Sequence, residues 1–334
     1  MENVIIFILF AIGMFMVIKG GDWFVESSVW MGKVTGIPNV IIGATIVSTA
    51  TTLPELLVST MASSQGYYDV AIGNAVGSMV CNIGLILGLL AILSPAQSIQ
   101  KSFFTRGCFM LTTVALLLAF ALDLTITKLE GALLLIGYVV FLAVNLWEAK
   151  KSYKKPSSDP NNDALSSKPF VKRNVLLFIF GAAFIIIGAR LLVDNGVALA
   201  ELLGVPQQIV SLTLLALGTS LPELVTGVTT LLKKEYGLSV GNILGANILN
   251  GLLVIGLSSQ FTQSGLMISI QTATTSFGTF NIPQTVRFDL PIVLALSAVL
   301  LLGGLFFKKI NKVIGGALFL IYIGYILTML MVFI

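Results

Sequence analysis

The chain has 334 residues, of which 56% are hydrophobic and only 10% charged, and its mean hydropathy is +0.99. Soluble domains carry roughly 25% charged residues, so this composition excludes a water-soluble globular protein and makes the bilayer the solvent. The net charge of +4 is spread over several short segments, which excludes the concentrated basic patch of a nucleic-acid binder.

A bilayer core about 30 Å thick needs roughly 20 mainly apolar residues per helix. In chain order the sequence predicts spans over Val4–Ser27, Val40–Ala62, Val70–Leu93, Phe103–Leu122 and Leu129–Trp147. A second set follows over Val175–Leu199, Ile209–Leu231, Leu238–Leu257, Leu290–Phe307 and Val313–Phe333. The chain begins Met-Glu-Asn with no basic segment, so its first apolar stretch reads as a span and not as a secretory signal. Between the sets, Glu148 to Arg173 is polar and carries Pro and Ser. Residues 150–173 are therefore expected to form an exposed linker between a first half, 1–149, and a second, 174–334.

Lys and Arg are retained on the cytoplasmic side of short loops. With the amino terminus outside, Lys33, Lys101, Arg106, the linker bases, Lys233, Lys234, Lys308, Lys309 and Lys312 all fall inside, against Lys128 and Arg287 outside. Both termini are expected outside, in what reads as a prokaryotic inner membrane. Cys81 and Cys108 form no spacing motif. Histidine is absent, which removes the commonest transition-metal ligand and leaves oxygen to handle any ion.

A shift of 168 residues lays Gly36-Ile-Pro38 on Gly204-Val-Pro206, Thr51-Thr-Leu-Pro-Glu55 on Thr219-Ser-Leu-Pro-Glu223 and Gly73-Asn74 on Gly241-Asn242. The same frame matches Gly77 with Gly245, Asn82 with Asn250 and Gly88 with Gly256. Chance would align Leu and Val, not Pro, Glu, Asn and Gly, so the chain is a duplication. Five spans per repeat turn the second copy upside down, the arrangement of secondary transporters whose sites lie on broken helices near the midplane. The fold class is thus an all-α integral membrane protein with ten transmembrane helices in two inverted repeats.

Pro54 and Pro222 interrupt spans two and seven, freeing the carbonyls of Ala50 and Gly218. An acid follows each proline. A charge at the bilayer centre costs about 2.5–3.5 kcal/mol on insertion scales, so Glu55 and Glu223 are expected to meet cations. The competing reading pairs them with Lys19 or Arg190 inside spans one and six. Calcium takes 6–8 oxygen ligands, and Glu55, Glu223, Thr51, Thr219, Asn82 and Asn250 supply carboxylate, hydroxyl, carbonyl and amide oxygens. Two carboxylates neutralise one divalent or two monovalent ions, and competition for such a cage is a physical basis for exchange. Gly73, Gly77, Gly84, Gly241 and Gly245 read as close-packing positions. No nucleophile–base pair or zinc motif suggests an enzyme, no resident cofactor is implied, and the partners expected are ions and lipid, with no protein partner.

The paired motifs Thr51-Thr-Leu-Pro-Glu55 with Gly77-Ser-Met-Val-Cys-Asn82, and Gly218-Thr-Ser-Leu-Pro-Glu223 with Gly245-Ala-Asn-Ile-Leu-Asn250, resemble those of the cation/calcium antiporter superfamily, most closely its sodium/calcium exchanger branch. The resemblance implies alternating access by sliding of spans one and six, transported calcium at the two glutamates, and sodium sites using Ser48, Thr51, Thr52 and Ser78, with Ala216, Thr219 and Ser220 in the second repeat. Calcium/proton antiport is the alternative, and a passive cation channel stands third. The chain departs from the family pattern at Ala50, Ala246 and Asn250, where relatives commonly have Gly, Ser and, in some, Asp.

Single cysteines placed between Lys150 and Lys172, with Cys81 and Cys108 replaced, should react with impermeant thiol reagents from the cytoplasmic side alone; labelling from outside would overturn the orientation.

Overall fold

The computed structural model describes residues 2–94, 97–98, 101–152, 168–202, 218–275 and 278–332. The centre of the expected linker, residues 153–167, and Ala216 lie outside the described residues. Helices α1 (Glu2–Thr35), α2 (Asn39–Thr51), α3 (Leu53–Ser64), α4 (Tyr68–Leu93), α5 (Lys101–Phe120) and α6 (Lys128–Ser152) precede the linker. After it come α7 (Lys168–Leu202), α8 (Leu221–Leu232), α9 (Tyr236–Gln260), α10 (Thr285–Phe307) and α11 (Lys312–Val332). Among the described residues eight helices are long and apolar enough to cross a membrane, or nine if the bent pair α2 and α3 is counted as one span. The shorter apolar α8 is the described part of the predicted seventh span.

Packing divides the chain into two compact units, Met1–Thr52 with Val144–Asn242, and Leu53–Ala143 with Ile243–Ile334. Each unit takes helices from both sequence repeats. In the first, α1 lies along α7, and small residues let the backbones touch. A Cβ at Gly20 would stand 2.9 Å from the Gly181 carbonyl oxygen, and one at Gly181 would stand 2.7 Å from the Phe24 amide. The Phe24 and Phe178 rings stack at 4.7 Å beside this seam. Phe24, Val25, Ile42, Val47, Ile185 and Leu238 form the buried core there.

Helix α1 runs eight residues past the predicted end at Ser27. Its serines do not break it because they satisfy themselves on their own helix: Ser27 Oγ donates to the Trp23 carbonyl at 2.8 Å and Ser28 Oγ to that of Phe24 at 2.7 Å. The helix stops at Gly36, whose φ of +66° is the left-handed conformation that glycine adopts without a Cβ penalty.

In the second unit, α3 packs on α4 and on the part of α9 that follows Asn242, while α10 packs on α5, α11 and α4. Gly84 and Gly88 of α4 lie against Tyr322 and Phe319 of α11. Short strands, absent from the sequence reading, tie the loops. β1 (Gln97–Ser98) pairs with β6 (Lys309–Ile310), β2 (Thr125–Ile126) with β3 (Leu266–Met267), and β4 (Gln271–Thr275) with β5 (Gly278–Ile282), all antiparallel. The amide of Ser269 also donates to Asp69. Backbones that hydrogen-bond must share a side of the membrane, so the α4–α5 and α10–α11 loops form one set. The α3–α4, α5–α6 and α9–α10 loops form the other, as an alternating chain requires. Arg106 corrects the charge assignment: it is fully buried on α5, with Nη1 donating to the Ser102 carbonyl at 2.7 Å, and is no loop residue.

Gly181→Ala should destabilise the protein by about 1–3 kcal/mol through overpacking of the α1–α7 seam. Gly316→Ala, where a Cβ meets nothing within 4 Å, should be neutral or slightly stabilising. Thermal unfolding in detergent reads both, and equal melting temperatures for the two variants would remove the seam from the account.

Candidate cation site

The two proline-acid motifs have the same local geometry. Thr52 ends α2 with φ −82° and ψ −1°, and its repeat counterpart Ser220 precedes α8 with φ −85° and ψ 3°. These are bridge-region values, found at turns and many active-site residues. The helix breaks two residues before each proline, which then sits in the first turn of the next helix, where its missing N–H costs little. Glu55 and Glu223 therefore fall in the first turns of α3 and α8, at the end whose free N–H groups and dipole favour an anion. Both are fully buried.

In the first unit Thr51, Thr52 and Glu223 are all buried, and Thr52 Oγ1 and both Glu223 carboxylate oxygens have no hydrogen-bond partner among the described residues. Thr51 Oγ1 lies 3.2 Å from Asn242 Oδ1 and 3.3 Å from the Ser48 carbonyl. A hydroxyl has one proton, so Thr51 donates to one of these acceptors at a time and leaves its lone pairs available. Asn242 reaches Thr51 because Gly241 and Gly43 allow α2 and the start of α9 into backbone contact. Ser48 is buried, with Oγ donating to the Thr45 carbonyl at 3.2 Å. Thr219 is half-buried next to buried Ser220.

In the second unit Glu55 is carried by α3 against α4 and α9. Asn74 Nδ2 donates to the Glu55 carbonyl at 3.2 Å and to Ser59 Oγ at 2.9 Å, holding the broken end of α3 to α4. Asn82 lies in a π-helical turn, Cys81–Leu87, and Asn250 opens another, Asn250–Val254. These turns occupy repeat-equivalent positions, and π turns concentrate at functional sites. Ser78 is buried one turn before Asn82. Asn82 Nδ2 donates to Asn247 Oδ1 at 3.3 Å.

Ser220 Oγ, Asn82 Oδ1 and both polar atoms of the Asn250 amide are buried with no hydrogen-bond partner among the described residues. Such groups cost about 1–3 kcal/mol each if left unmade. Ser220 precedes the helix of Glu223 in the first unit, while Asn82 and Asn250 lie on α4 and α9, against which α3 carries Glu55 in the second, and buried groups left unpaired in this way call for a ligand. The model for the sodium/calcium exchanger protein family matches residues 5–147 and 173–331.

The chain belongs to this family.

Among its relatives is the sodium/calcium exchanger MaX1 of Methanosarcina acetivorans, 30% identical, with 97% of this chain and 98% of that one aligned. The Escherichia coli inner membrane protein YrbG is 33% identical over 76% of this chain and 79% of its own. A structure of the sodium-calcium exchanger NCX_Mj superposes with a TM-score of 0.80 at 28% identity, covering 97% of this chain and 99% of the other. The protein is thus an integral membrane transporter, not an enzyme, with ten transmembrane helices in two inverted repeats.

Not every expectation about this transporter's helices holds. Gly84 and Gly241 are close-packing positions, but a Cβ at Gly73 or Gly77 would meet nothing within 4 Å, so that face of α4 is open. The basic side chains considered as partners for the glutamates lie elsewhere: Arg190 faces Asp194 at 3.9 Å, both largely exposed, and Lys19 is exposed. Sequence reasoning gave no role to Asn74, Asn242 or Asn247. The duplication had already aligned the first two, and a polar residue in an otherwise apolar span was the signal for the third.

Proposed function

We propose that this family member is a secondary active antiporter that exchanges calcium for sodium by alternating access. Glu55 and Glu223 supply the charge, and Ser48, Thr51, Thr52, Ser78, Asn82, Thr219, Ser220 and Asn250 supply neutral oxygens, with the Ala216 carbonyl as a further one. The observation that carries this reading is the set of buried polar atoms without hydrogen-bond partners among the described residues at Ser220, beside the helix of Glu223, and at Asn82 and Asn250, on the helices packed against that of Glu55. The names of MaX1 and NCX_Mj support sodium and calcium as the ion pair.

Charge balance explains the exchange. Two carboxylates offset one calcium ion or two sodium ions, so full occupancy by one species excludes the other. Asn250 contributes an oxygen without a third negative charge, which keeps the ligand set matched to a charge of +2. The linker of residues 150–173 is cytoplasmic in this reading, both termini are outside, and the protein resides in a prokaryotic inner membrane.

Glu55→Gln or Glu223→Gln should each reduce sodium-driven calcium uptake into proteoliposomes by roughly 100-fold or more, since removing one partner of a buried ion pair costs about 3–5 kcal/mol. Near-normal uptake by either variant would sink the ligand assignment. With the parent protein, uptake driven by a pH gradient in sodium-free buffer would put calcium/proton antiport first, and dissipation of a calcium gradient without any counter-ion would indicate a channel.

A further inference from the structure

Three side chains of the second unit form a short chain of contacts ending at Asn82. Asn247 Nδ2 lies 3.7 Å from the sulfur of Met110 on α5, and Asn82 Nδ2 lies 3.3 Å from Asn247 Oδ1. All three are fully buried. The remaining atom, Asn82 Oδ1, has no hydrogen-bond partner among the described residues.

A carboxamide is nearly symmetrical in shape but opposite in polarity at its two ends, so something outside it must decide which end faces where. A thioether sulfur carries no hydrogen and can only accept. Met110 therefore draws the nitrogen of Asn247, which turns the Asn247 oxygen toward Asn82. That oxygen in turn takes the Asn82 nitrogen and leaves the Asn82 oxygen as the outward end. The reverse arrangement would set the Asn247 oxygen against sulfur lone pairs and aim an N–H2 group at any cation beside Asn82.

We infer that Met110 and Asn247 act as positioning residues that lock the Asn82 amide with its oxygen toward the transported cation. The inference rests on the reading of Asn82 as an ion ligand given above. The lock belongs to one repeat only. The position equivalent to Asn247 in the first repeat is Met79, and Asn250, the counterpart of Asn82, has neither amide atom hydrogen-bonded among the described residues. Asn82 is thus a committed oxygen ligand, whereas Asn250 can present either end.

The test is calcium and sodium binding to the detergent-solubilised full chain by titration calorimetry, in the parent and in an Asn82→Asp background. A carboxylate offers oxygen at both ends, so its orientation carries no polarity. In the parent, Met110→Leu leaves the amide free to adopt either orientation, and halving the competent fraction should weaken calcium binding about 2-fold. Asn247→Leu should weaken it at least as much. In the Asn82→Asp background neither change should weaken binding. Equal losses in both backgrounds, or no loss in the parent background, would overturn the lock while leaving the ion site standing. A parent that binds neither cation would instead sink the site and the lock together. Met110→Leu, a near-isosteric apolar exchange, keeps the test decisive if Asn247→Leu does not fold.

Discussion

A carboxylate inside hydrocarbon has to be met by something, and the architecture around Glu55 and Glu223 follows from that requirement. Glu55 and Glu223 are both fully buried, and an uncompensated charge in the bilayer core costs several kcal/mol. The chain meets the requirement by breaking a helix just before each acid, at Thr52 and at Ser220, with nearly the same backbone angles. Each break leaves the acid in a first turn, facing free N–H groups, and places hydroxyls close by. A straight helix would bond every amide and carbonyl internally and have none to offer.

Asn82 and Asn250, proposed above as neutral ligands, follow a similar logic in a different form. Spans α4 and α9 do not break, but each loosens into a π turn at an asparagine, Asn82 or Asn250. The wider turn changes the direction in which those side chains project without giving up the span's hydrogen bonding. Amides bring oxygen without charge, so the proposed exchange of a divalent for monovalent cations would need no third acid to be neutralised. They also bring ambiguity of direction, and the contact from Asn247 to the Met110 sulfur resolves it for one of the two.

Away from these positions the polar groups are quiet. Ser27, Ser28, Thr45 and Thr230 return their hydroxyl protons to carbonyls of their own helices, which makes them nearly apolar in effect. The α1–α7 seam is built from glycine and aromatic side chains, with backbone-to-backbone approach in place of side-chain interdigitation. Small residues are the main device for tight association where lipid removes the hydrophobic drive between helices.

The membrane-spanning nature of the protein, its duplication and the two acids it carries inside apolar spans were all legible in the residues. Composition reports the solvent directly, and a 168-residue frame that aligns Pro, Glu and Asn has no explanation but descent of one half from the other. Glu55 and Glu223 stood out because a charge in an apolar span is costly wherever the span is placed. The π turns at Asn82 and Asn250, the burial of Arg106, the open face at Gly73 and Gly77, and the strand pairs between loops had no such signature. They depend on which helices become neighbours, and that is set by packing between residues far apart in sequence. Asn247 shows the division most clearly: its sequence position says only that an amide lies in a span, while its direction, and through it the direction of Asn82, was decided by a sulfur atom 137 residues away that folding brings alongside.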